Sequence, residues 1–270
     1  MHMRIGHRYQ NNNGLGDWIR FVLILLIHVT ALSESVAAPL LNNQQGDSGK
    51  TRSDDPLLVK KCSDFKITGK GDSPEWNKTE WSTLSKLDPE GSDYKSKFKV
   101  LSSEKGIYIL FHGEDNKITT ADYNDMDKIW NGDVFEVFFQ TDTQEGKYFE
   151  YEVNQFEKQL LLTISNSKDG VGWIPFNEYG SNTYGTINKV EVLGGPRKLN
   201  GKITSWSAEV FISYKSLGLL ALVPPKSGTI WNANFCRLDH DAGKMVKWSW
   251  SPTIVESLHE LDKFRSIVFE

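Results

Sequence analysis

The segment from Trp130 to Asn154 constrains the fold of this chain more than any other, because its side chains alternate with period two along two consecutive runs. The first run reads V-F-E-V-F-F-Q from Val134 to Gln140. The second reads K-Y-F-E-Y-E-V-N from Lys147 to Asn154, after a short polar turn. Successive side chains on a strand point to opposite faces, so this pattern suits a hairpin and not a helix. Glu150, Glu152 and Asn154 share one face of the second run, while Phe149, Tyr151 and Val153 share the other, which reads as core. On the first run, Val134, Glu136 and Phe138 alternate with Phe135, Val137 and Phe139. Glu136 therefore interrupts a strand that otherwise reads as buried on both sides, and a carboxylate there needs water or a partner.

Similar runs rich in Val, Ile, Phe, Tyr and Trp recur between turn signals along the chain. They are Phe98 to Leu101, Ile107 to His112, Leu160 to Ile164, Ile203 to Ile212, Thr229 to Leu238, Val246 to Ser251 and Ser266 to Phe269. Many short strands without a long 3.6-residue pattern predict an all-β fold, an antiparallel β-sandwich of the immunoglobulin or jelly-roll kind. Helix is expected only around Tyr214 to Leu220 and near Pro74 to Trp81, where Pro74 suits a first turn. Gly69 to Pro74 and Gly194-Gly195-Pro196 carry loop chemistry. Residues 39–59 read as a polar linker, and residues 60–270 as one domain, which the 270-residue length allows.

Residues 1–38 have the form of a secretory signal peptide. Arg4, Arg8 and Arg20 precede an apolar run from Phe21 to Leu32, and small residues follow at Val36-Ala37-Ala38. A run this short falls below the ~20 residues that span a bilayer, so no membrane insertion is expected after cleavage near Ala38. The expected location is secreted, periplasmic or cell-surface. The formal net charge of −4 and the absence of a Lys/Arg-rich run disfavour nucleic acid as a partner. Cys62 and Cys236 are the two cysteines. In an oxidising compartment they either form a bridge that staples the N-terminal segment to the sheet, or remain separate thiols.

Trp130, Glu136, Glu152 and Asn154 suggest a sugar site, because a sugar offers hydroxyls to polar side chains and apolar C–H faces to a flat aromatic. The alternative is that Glu136 and Glu152 are cross-strand neighbours on a solvated face and Trp130 packs a loop. No G-x-S-x-G, G-x-x-x-x-G-K or G-x-G-x-x-G occurs in the chain.

The ordered set W-N-G-D-V-F-E-V-F-F, Y-F-E-Y-E-V-N, S-W-S-A-E-V-F-I, G-T-I-W-N-A-N-F-C-R-L-D, W-S-W-S-P and H-E-L-D-K-F resembles family 9 carbohydrate-binding modules. More closely it resembles the free-standing family 9-like secreted proteins of polysaccharide-degrading bacteria, from about Asp64 to Glu270. The resemblance implies that Trp130 forms one wall of an aromatic clamp around a terminal sugar, and that Glu136 and Asn154 contact its hydroxyls.

Two departures stand out. Glu150 and Glu152 occupy positions where the family pattern resembles an amide and an arginine. Ser257-Leu258-His259-Glu260 stands where the second clamp tryptophan is expected, so His259 or a displaced Trp250 is a candidate second wall. Arg237 is a candidate replacement for the missing basic contact, unless it pairs with Asp239 or Glu152. Trp76, Trp173, Trp206 and Trp231 read as packing residues.

No cofactor is required for such a function. The family's likeness to calcium-binding domains makes Asp72 and Glu75, beside Gly71, candidate ligands for a structural calcium. The implied function is non-catalytic binding of poly- or oligosaccharide, at chain ends, during glycan degradation. The alternatives are a glycoside hydrolase using Glu136 with Glu152 or Glu209, and a surface β-sandwich that has lost sugar binding.

Overall fold

The computed structural model of the protein describes residues 55–167, 170–175, 185–254 and 257–270. The expected signal peptide and most of the expected linker lie outside the described residues. The strands in chain order are β1 (Leu57–Lys61), β2 (Ser82–Lys86), β3 (Ser96–Ser102), β4 (Gly106–Glu114), β5 (Val134–Gln140), β6 (Lys147–Asn154) and β7 (Gln159–Ser167). They continue with β8 (Gly170–Pro175), β9 (Thr186–Leu193), β10 (Ser205–Ser213), β11 (Ile230–Asp239), β12 (Val246–Ser249) and β13 (Arg265–Phe269).

One layer runs β8-β7-β6-β5-β11, and β11 also pairs with β12 and β13. The other runs β2-β3-β4-β10-β9, and β12 to β2 pairing joins the two along one side. Pairing is antiparallel except at β1, which lies parallel to both β13 and β3 and so ties the layers together. Because β1 starts at Leu57, the fold begins inside the expected linker.

The space between the layers is filled by aromatics contributed from both. Phe98 stacks on Phe235 at 3.8 Å and Phe111 on Phe135 at 4.8 Å, while Trp206 and Trp231 are fully buried. Each such side chain contributes about 1.5–3 kcal/mol through burial. The outer face of the β5–β7 layer is covered as well. There Val134, Phe138, Tyr148 and Leu162 pack beneath Leu258 and Phe264. β5 and β6 are therefore buried on both faces, so the alternative that placed Glu136 and Glu152 on a solvated face does not hold, although the two are cross-strand neighbours.

Helical structure is limited to 3₁₀ turns at Pro74–Lys78, Ile129–Asn131 and Leu261–Lys263 among the described residues. Ser73 caps the first of these, accepting from the Glu75 amide at 3.3 Å. The expected helix at Tyr214 to Leu220 is a run of turns. No helix among the described residues is long and apolar enough to cross a membrane. Cys62 and Cys236 are unbridged.

Candidate carbohydrate-binding site

The β5–β6 register places Glu136 directly opposite Glu152, and Phe138 opposite Glu150, on the outer face of the layer. The three glutamates form the floor of a pocket of about 280 Å³. Their carboxylate oxygens lie within 4.8 Å of one another, and each residue is no more than 4% exposed. Glu150 Oε2 and Glu152 Oε2 are buried without a hydrogen-bond partner.

Burial, reinforced by the neighbouring carboxylates, pushes Glu136 and Glu152 well above the usual carboxylate range. Burial likewise raises Glu150 to about 7. Lys247, from β12, opposes the shift at Glu136.

Two indoles stand over this floor. Trp130 lies on the 3₁₀ turn before β5, and Trp173 on β8, with ring centroids 6.3 Å apart and planes at 77°. They make a corner, not a parallel clamp. Leu162, Ile164, Leu238 and Met245 supply apolar wall, and Ser257, Leu258 and His259 close a further side.

The W-N-G-D motif fixes Trp130 through its neighbours. A Cβ at Gly132 would meet the Thr119 carbonyl and the Thr120 Cα at 2.8 Å, so the turn needs glycine to pack this closely. Asp133 then accepts from the Thr119 amide at 2.7 Å and the His240 amide at 2.8 Å, and His240 Nε2 reaches the Trp130 carbonyl at 3.1 Å. His259 Nδ1 is 2.7 Å from the Tyr148 hydroxyl. Burial holds the imidazole below its usual value and the phenol above its own, so we assign the hydroxyl as donor to a neutral ring.

Of the residues expected from sequence, Trp130, Glu136, Glu152 and His259 thus share one pocket. Asn154 does not join them. Its Oδ1 accepts from the amides of Phe156 and Lys158, both at 3.0 Å, and closes the turn from β6 to β7. Trp250 is 3% exposed in the interlayer core, against Phe98 and Phe235, and cannot form a clamp wall.

Arg237 also points inward. Its guanidinium bonds Asp239 at 2.6 Å and Asp115 at 3.1 Å, with Ser96 and the Glu114 carbonyl as further acceptors. It supplies no basic contact to the pocket, and the pairing partner is Asp239 and not Glu152.

Trp173, read from sequence as packing, is half exposed and forms the second aromatic wall. Glu150, Lys247 and Met245 are further pocket residues beyond those expected. Glu150 was findable, since it shares a strand face with Glu152. Nothing in the sequence around β8 pointed Trp173 toward Trp130.

Among the described residues, the calcium candidates Asp72 and Glu75 belong to neither group of three or more carboxylates that lie close enough together to hold an ion. Asp72 accepts from the Thr68 hydroxyl at 2.8 Å, and Glu75 accepts from the Ser63 amide at 2.9 Å and pairs with Lys78 at 2.8 Å. Asp115, Asp133, Asp239 and Asp241 do lie together, but they surround Arg237 and are taken up by it and by backbone and hydroxyl donors.

Comparison with known proteins bears on the same elements. No curated protein matches the chain. A carbohydrate-binding module family 9 from Caldicellulosiruptor kristjanssonii, in complex with cellotriose, superposes with a TM-score of 0.56 at 15% identity, covering 80% of this chain and 94% of that one. The complex of a family 9 module from the same organism with glucose gives 0.54 at 14% identity, covering 79% and 95%. A protein of Bacteroides uniformis ATCC 8492, classed provisionally as carbohydrate-binding, gives 0.63 at 14% identity, covering 80% of this chain and 100% of that one. These likenesses establish a shared fold. The model described as "Carbohydrate family 9 binding domain-like" matches residues 67–182, which include β5, β6, Trp130, Trp173 and all three pocket glutamates. The family 9 resemblance read from the sequence is thus borne out by a family-model match over residues 67–182.

Proposed function

We propose that the chain is a non-catalytic carbohydrate-binding protein, exported to act beside glycan-degrading enzymes, which holds the end of a poly- or oligosaccharide in the pocket under Trp130 and Trp173. One observation carries this reading: an indole corner stands over buried, partly unpartnered carboxylate oxygens, matching the apolar face and the hydroxyl edge of a sugar. The volume of about 280 Å³ falls just below the roughly 300–1,000 Å³ typical of ligand pockets. That favours one terminal unit over an internal stretch of chain.

The hydrolase alternative has less support. A glycosidase sets two carboxyls on either side of the scissile bond, about 5–10 Å apart. Glu136 and Glu152 are cross-strand neighbours and meet a ligand from the same side. Glu209 belongs to the other layer, where it accepts from the Thr68 and Gly69 amides at 2.6 Å and from Trp76 Nε1 at 2.7 Å. It is a structural anchor for the segment before β2.

Stacking and hydrogen bonds of about 1–3 kcal/mol each imply micromolar to millimolar affinity. Affinity electrophoresis through gels containing xylan, glucan, mannan or chitosan should retard the protein in at least one. Trp130→Ala should weaken that retardation about tenfold while keeping a cooperative thermal transition. Unchanged retardation, or loss of the transition, would assign Trp130 to packing instead.

A further inference from the structure

Resting on that reading of the pocket, we propose that its sugar carries a positive charge: the floor formed by Glu136, Glu150 and Glu152 receives the ammonium group of an amino sugar at a chain end. Three carboxylates are more than a neutral sugar needs. Lys247 is the lysine or arginine among the described residues lining the pocket, so acidic groups outnumber it three to one. Hydroxyls would satisfy the orphaned oxygens of Glu150 and Glu152 but bring no charge to balance the buried carboxylates once they ionise.

An ammonium group does both, since it offers three donors and no acceptor. The geometry suits it. Oxygens no more than 4.8 Å apart leave a central point within about 2.8 Å of each, the length of a charge-assisted N–H···O bond.

The rest of the pocket argues for a sugar amine over a metal ion. Calcium takes about 6–8 oxygen ligands, whereas the walls here are Leu162, Ile164, Leu238, Met245 and two indoles. An indole corner binds the C–H face of a pyranose and is attracted to an adjacent cation.

A second groove shares Val171 and His259 with the pocket. It is lined by Glu145, Glu260 and Asp262, with no lysine or arginine among its described lining residues. Lys147 and Lys263 pair with Glu145 and Asp262 at 3.8 and 3.2 Å and offset part of that charge. The path leading away from the pocket is acidic too, as a polycationic oligosaccharide would require.

Isothermal titration calorimetry of the purified protein with three tetramers of one β-1,4 backbone tests the proposal: the glucosamine tetramer, its fully N-acetylated form, and cellotetraose. These differ at the C2 substituent alone. The glucosamine tetramer should bind at least about tenfold tighter than either neutral one, a gap typical of one charge-assisted contact. Glu150→Gln, which removes the charge while keeping the shape, should shrink that preference by about the same factor. If a neutral tetramer binds as well as the amine, the proposal fails and sugar binding stands. If none of the three binds, both fail. If calcium chloride alone produces a saturable signal that Glu150→Gln abolishes, the floor is a metal site and the amine reading is overturned.

Discussion

The three pocket glutamates make the unliganded protein sensitive to pH in a direction opposite to that of ordinary surface carboxylates. A carboxyl raised in the folded state holds a proton that the unfolded chain releases, so its contribution to stability is lost as pH rises. For Glu150 the window runs from the ordinary 4.5 to about 7. Glu136 and Glu152 beside it are raised in the same direction, and Tyr148, Cys236 and Lys247 complete the surroundings of the cluster. Glu150→Gln removes one charge from this cluster. The variant should therefore be more stable than the wild type above about pH 7 by on the order of 2 kcal/mol, with the difference closing near pH 4.5. Thermal melts of both proteins across that range measure it; a difference that grows toward acid would mean the glutamates are ionised and paired in the native protein. The same scale shows where sequence reading failed. Arg237 shares a face with Phe235 and Asp239 on a strand buried on both faces, so periodicity grouped it with Asp239 but could not say which face lay inside. The four aspartates grouped near it come from the residue after β4, the turn before β5, and the end of β11 with the loop beyond it, and no local pattern links them.

At the scale of elements, the hairpin that forms the floor was legible because its second strand alternates with period two, its first is a short apolar run interrupted by Glu136, and a short polar turn joins them. β8 was not. Gly170–Pro175 has two glycines, a terminal proline and continuous apolar character, which does not distinguish a strand from a loop. Leu258 and His259, which turn the outer face of β5 and β6 into a pocket, come from more than a hundred residues along the chain, so the burial of Glu150 could not be read locally. β8 is an edge strand with Val171, Trp173 and Ile174 at least 50% exposed. Exposed apolar side chains on an edge invite a ligand, and they contribute little to the core. Trp173→Ala should accordingly weaken sugar binding about tenfold and leave the melting temperature almost unchanged. An equal loss of binding and of stability would assign Trp173 to holding β7 and β8 together.

For the molecule as a whole, the sandwich follows from the many short apolar runs, while the way its layers are joined does not. The joining falls to β12 against β2 and to β1, whose parallel pairing with both β13 and β3 is set by chain ends that sequence patterns leave undefined. A disulfide between Cys62 and Cys236 would have offered a covalent join, but the two thiols are free and differently placed. Cys62 follows β1, beside β3, where its amide bonds the Ser102 carbonyl at 2.8 Å. Cys236 lies on the outer face of the other layer, near the Ser249 hydroxyl at 3.9 Å. Burial pushes Cys62 up to about 12 and Cys236 well above its ordinary value, which leaves little thiolate to react even in an oxidising compartment. Backbone pairing, interlayer packing and the Glu270 carboxylate, which accepts from the Lys61 amide at 2.8 Å, therefore secure β1 without a covalent link. The melting temperature should be the same with and without reductant, and a thiol reagent should titrate two cysteines in denaturant while reacting slowly with the native protein. A reductant-dependent drop in melting temperature would show that the N-terminal strand is held covalently after all.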